Sequence, residues 1–134
     1  MRQALILLAI LAVPGLALAE DNGDEGSAYL ELSPDFVVNI GDPEAGRNYV
    51  RAEVTLRFRG EERRDRAESH EPWLRHELVM MLSDLSVDEA RSAQSQSELA
   101  ERALEVLNER LSEEEGEEEL IREVLFPGFV VQSR

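Results

Sequence analysis

Two histidines, His70 and His76, are the first residues in this chain with types that could do chemistry, because two imidazoles on one helix face can hold zinc. Zinc-binding pairs of that kind lie three or four residues apart. These two are six apart, so on a helix they point to different sides. The chain contains no cysteine, which removes the thiol nucleophile and the thiolate metal site. A nucleophile also needs a base within reach, and the sequence leaves no obvious catalytic group. The stretch "GDPEAG", Gly41 to Gly46, has turn residues but lacks the Lys and the Ser or Thr of a phosphate loop. The run Glu113–Glu119 is dense in carboxylates. It lacks the alternating Asp/Asn spacing of a calcium loop and reads as a solvated acidic loop. The expectation is a non-catalytic protein with no catalytic residue, no cofactor and no dedicated metal site.

One constellation remains. Arg57, Arg59, Arg63, Arg64 and Arg66 cluster at the end of one segment and the start of the next. In an acidic chain they form a local basic patch. One reading makes it a docking surface for an acidic partner, since charge complementarity steers and orients association. That partner could be the Glu113–Glu119 loop of a neighbouring copy, which would build head-to-tail rings or filaments. The other reading is intramolecular: Glu61, Glu62, Asp65 and Glu68 are interleaved with the arginines and can pair with them locally. Trp73, the single tryptophan, reads either as a partner anchor or as packing over a sheet edge.

The elements that must position these residues follow from periodicity. "SAYLELSPDFVVNI" carries strand signals interrupted at Ser33–Pro34, where a proline without an N–H implies a kink or a strand change. Asn48 to Arg59 alternates strictly, with Val50, Ala52, Val54, Leu56 and Phe58 on one dry face. "GDPEAG" joins the two as a hairpin loop. Gly60 to Ser69 is polar throughout and reads as an exposed connection. Leu74, Leu78, Met81, Leu82 and Leu85 then form a helical stripe, with Pro72 in a tolerated first-turn position. Ser86 and Glu89 have capping-box spacing for a short turn, and Ser95 and Glu98 repeat it. A second stripe runs through Leu99, Ala103, Val106, Leu107 and Leu111, and the helix ends at Gly116. "LIREVLFPGFVVQ" is strand-like again, broken at Pro127–Gly128. The predicted fold is α+β, a two-layer sandwich whose mainly antiparallel sheet is covered on one face by two helices.

Composition sets the setting. The formal net charge is −15, from 29 Asp and Glu against 14 basic residues, all of them Arg. Such a surface repels nucleic acid and anionic membranes. The missing Lys is equally compatible with a salty habitat and with codon bias. The N-terminal "MRQALILLAILAVPGLALAE" has one early charge, an apolar run and small residues at Ala17 and Ala19. This is the layout of a secretory signal over residues 1–19, cleaved after Ala19. Its alternative is a short uncleaved anchor through residues 4–19, the only case in which the chain would touch a membrane. Residues 20–28 read as an acidic flexible lead. Either way the rest is expected outside the cytoplasm, in the periplasm.

Taken together, "LSPDFVVNI", "NYVRAEVTLRF", "PWLRHELVMMLSDLSVDEA", "ELAERALEVLNERL" and "IREVLFPGFVVQ" resemble, in that order, segments of the flagellar basal-body-associated FliL family. The resemblance covers residues 29–132. It implies a stomatin-like domain that contacts flagellar stator or basal-body proteins, supports motility, forms homo-oligomers or rings, and carries out no catalysis. Family members usually have a longer N-terminal lead and a full membrane helix, which leaves open a soluble paralogue. The competing expectation is a periplasmic sensor module that captures a cation or small ligand on its acidic surface.

Overall fold

The strict alternation of Asn48–Arg59 becomes the central strand of the sheet. The computed structural model describes residues 26–117 and 119–133. Strand β1 spans Ser27–Ile40, β2 spans Asn48–Arg59 and β3 spans Ile121–Ser133. They form one antiparallel sheet in the order β1-β2-β3. Between β2 and β3 lie helices α1 (Glu61–Glu68), α2 (Glu71–Ser83), α3 (Val87–Arg91) and α4 (Ala93–Glu115). The α+β class and the mainly antiparallel sheet hold. The predicted signal or anchor over 1–19 lies outside the described residues, as does most of the lead; β1 already begins at Ser27.

Val50, Ala52, Val54, Leu56 and Phe58 are all buried, and they form the centre of one layer. The facing layer is the α2 stripe of Leu74, Leu78, Met81 and Leu82, with Leu85 just beyond the helix, and the α4 stripe of Leu99, Ala103, Leu107 and Leu111. Val106, assigned to that stripe from its spacing, sits at the margin, partly buried against the core. Each fully buried side chain of this size contributes about 1.5–3 kcal/mol by leaving water.

Neither edge strand is interrupted at its proline. β1 shifts register between Leu32, opposite Val54, and Phe36, opposite Ala52. Ser33, Pro34 and Asp35 are therefore accommodated as a bulge. β3 shifts between Gly128, opposite Glu53, and Leu125, opposite Thr55, so Phe126 and Pro127 bulge in turn. A bulge absorbs the residue that cannot donate to the ladder. At Gly128 a Cβ would come within 2.9 Å of Glu53 Cδ, so a larger residue there would push the Glu53 side chain aside. Arg75 of α2 stacks 4.1 Å over the Phe36 ring and donates to the Pro34 carbonyl, so the β1 bulge is tied to a helix.

Two local expectations are corrected. Gly60–Ser69 is not merely a connection: Glu61–Glu68 is helical. Its start carries Glu61 and Glu62 and its last turn carries Arg66, the charge order that suits the helix dipole. Only Ala67 of this helix is buried, so no apolar stripe announces it. The cap of α4 is also one turn earlier than the Ser95–Glu98 spacing implies. Ser92 is the N-cap, and its side chain accepts from the Ser95 N–H. The Ser86–Glu89 capping box forms as expected, with both reciprocal bonds present.

Candidate functional site

Helix α1 brings the arginines predicted as a cluster to one end of the sheet. Arg57 and Arg59 stand at the end of β2, and Arg63, Arg64 and Arg66 lie on α1. Their partners are mostly distant in sequence. Arg57 pairs with Glu123 of β3 at 2.9 Å and reaches Ser27 Oγ. Arg64 pairs with Asp65 at 3.1 Å and Glu68 at 3.8 Å, and also donates to the Tyr29 carbonyl. Arg63 donates to the Arg59 carbonyl and lies 3.7 Å from Glu117. Arg66 reaches Glu115 at 3.4 Å and Glu117 at 3.0 Å. Arg59 is exposed.

The acids that engage Arg63 and Arg66 therefore belong to the end of α4 and the turn after it, within the same chain. Of the interleaved acids weighed from the sequence, Asp65 and Glu68 pair locally, with Arg64. Helix α4 ends at Gly116, whose left-handed φ of 71° lets its N–H return to the Ser112 carbonyl. That reversal turns Glu117 back toward α1. His70, the N-terminal flanking residue of α2, completes the cluster, with Nε2 2.8 Å from Glu115 Oε1. The His70 hydrogen bond, and next the one from Arg66, hold the Glu115 carboxyl below its ordinary range, against the opposing effect of burial. Side chains in this cluster are half-buried: Arg63 and Arg66 expose 29% and Glu115 exposes 23%.

Trp73 lies outside this cluster. Its ring sits under the Arg110 guanidinium, 4.9 Å from the ring centroid, between α2 and α4. With His70, Arg110, Leu111 and Glu114 it lines a cavity of about 190 Å³. It is partly buried against the core. His76 is exposed on α2 and does not join His70. Among the described residues no group of three His, Cys, Asp or Glu side chains converges as metal ligands would.

One polar device was not foreseen. Asn108, in the middle of α4, accepts from the Ile121 N–H at 2.8 Å and donates to the Ile121 carbonyl at 2.8 Å. It pairs with the start of β3 as a neighbouring peptide group would. A lone Asn inside an apolar-periodic helix was the available signal.

Among the described residues no helix is long and apolar enough to cross a membrane. Residues 29–132 match the family model for flagellar basal body-associated protein FliL. The flagellar protein FliL of Aquifex aeolicus (strain VF5) is 30% identical over 102 residues, which cover 76% of this chain and 60% of that protein.

Proposed function

The chain belongs to the flagellar basal body-associated FliL family, and from that premise we propose that it is a non-catalytic accessory protein of the flagellar basal body. It works in the periplasm by contact with the motor's stator units and supports motility. The observation that carries the reading is the extent of the match: residues 29–132 take in nearly every strand and helix described above.

The docking surface in this reading is the arginine face of Arg57, Arg59, Arg63, Arg64 and Arg66. Arg59 is its most accessible member, exposed at the strand end. Trp73, held under Arg110, contributes a second contact at the neighbouring helix pair. Self-association into a ring would place several such faces around one axis. Residues 1–19 act as a signal that is removed, so the mature chain begins at Glu20; intact mass of the protein purified from its host checks this.

Deletion of the gene tests the function. The expected outcome is weaker swimming or swarming under load while flagellar filaments still assemble. Unchanged motility in the deletion strain would overturn the motor role. Arg59→Glu should reproduce the defect without unfolding, because surface changes usually stay within about 0.5 kcal/mol.

A further inference from the structure

The arginine face is not bare, and what covers it indicates what it binds. Glu115 and Glu117 lie across Arg63 and Arg66, and His70 holds Glu115 from the α2 side. This acidic segment is an awkward one for its own element. The last turn of α4 carries Glu113, Glu114 and Glu115 and no basic residue, although helix C-termini favour cations. The turn beyond it places Glu119 at a φ of 54°, a left-handed conformation that a residue with a Cβ rarely adopts. Arg110, the nearest basic residue of α4, pairs with Glu113 and Glu114 at 3.8 and 3.7 Å. What holds the acidic end in place is therefore largely supplied from outside α4, by Arg63, Arg66 and His70.

We propose that Arg63, Arg66 and His70 form a receiving surface for an acidic protein segment, and that the chain's own Glu115–Glu117 turn occupies it as an intramolecular competitor. A partner presenting two or three spaced carboxylates displaces the turn and takes over the same contacts. The internal occupant has the advantage of a tether, equivalent to millimolar effective concentration. That sets a threshold: a weakly acidic surface fails to bind, whereas a dense acidic run succeeds. The proposal rests on reading the arginine face as a docking surface. It does not rest on the flagellar role, so its test is made in solution.

The probe is a hexaglutamate peptide titrated into the full folded chain at low ionic strength, with binding followed by NMR shifts or calorimetry. The comparison is wild type against Glu115→Gln/Glu117→Gln. Each half-exposed pair removed should shift the competition by about 1.4- to 5-fold. The doubly neutralised variant should thus bind the peptide on the order of tenfold more tightly. Adding Arg63→Glu and Arg66→Glu to it should abolish that gain. Equal affinity of the wild type and the neutralised variant would overturn the proposal. So would a gain that survives reversal of the two arginines, because the peptide would then be bound elsewhere. Should the double variant lose its cooperative melt, Glu117→Gln alone serves. It lies beyond the helix, leaves the His70–Glu115 bond intact, and removes the two pairs to Arg63 and Arg66, so it should still tighten binding by about 2- to 25-fold; no change would count against the proposal.

Discussion

Single residues decide which way each strand faces. Val54 is 2% exposed in the layer between sheet and helices, and Thr55, next to it, looks outward and is half-buried. Val54→Asp places a carboxylate without a partner in that layer, at several kcal/mol, in a domain with about 5–15 kcal/mol to lose. Loss of a cooperative melt is expected; Thr55→Asp should melt near wild type, and similar behaviour of the two would mean that the facing is wrong. This facing could be read from alternation alone. The arginine pairings could not. Asp65 and Glu68 stand beside Arg64, but Arg57 and Arg66 reach acids 66 and 49 to 51 positions away. Only the packing of the end of α4 beside α1, the reversal at Gly116 and the arrival of β3 bring those carboxylates close. Glu115 carries a pH signature. Its carboxyl is lowered from an ordinary 4.5, first by the His70 hydrogen bond. A group lowered on folding stabilises the fold above its unfolded value, and that contribution fades as pH falls through the lower folded value. Stability measured from pH 6 down to pH 3 should therefore fall less steeply in Glu115→Gln than in wild type.

At the scale of elements, legibility followed the apolar stripe. Helices α2 and α4 are plain because four buried positions recur on one side of each. Helix α1 buries only Ala67, so hydrophobic periodicity had nothing to report and the information lay in the order of its charges. The start of α4 was displaced because Ser92 and Ser95 are both cap-type residues, and the structure uses the first. The short α3 depends on its cap more than a long helix would. Ser86→Ala removes the acceptor for the Glu89 N–H, and its expected cost is about 1 kcal/mol, read as a lower melting temperature. It should also release the Glu89 carboxyl, which bonds to Ser86 hold below the ordinary range. Asn108→Ala tests the join between α4 and β3. It leaves the Ile121 N–H and carbonyl without their side-chain partners, which costs about 1–3 kcal/mol. Asn108→Asp keeps an acceptor for the Ile121 N–H but sets a carboxylate oxygen against the Ile121 carbonyl, so it should not recover the stability that Asn108→Ala loses.

Over the whole molecule, charge and topology govern. A net −15 on 134 residues makes the folded chain repel itself. Raising salt from 0.01 M to 0.15 M shortens the screening length from about 30 Å to about 8 Å and should raise the melting temperature, despite weakening the surface ion pairs. A fall would mean that the pairs around Arg66 outweigh the general repulsion. The sheet's register has a mechanical consequence. Ser27 at the start of β1 stands opposite Arg59, whereas Ser133 at the end of β3 stands opposite Asn48. The two outer strands therefore run parallel to each other, and the described chain enters and leaves at opposite ends of a sheet about 40 Å long. A tether pulling at Ser27 against a load at Ser133 draws both ladders lengthwise. The rungs of each ladder are then loaded in shear and must yield together, so the sheet resists tension applied along its strands.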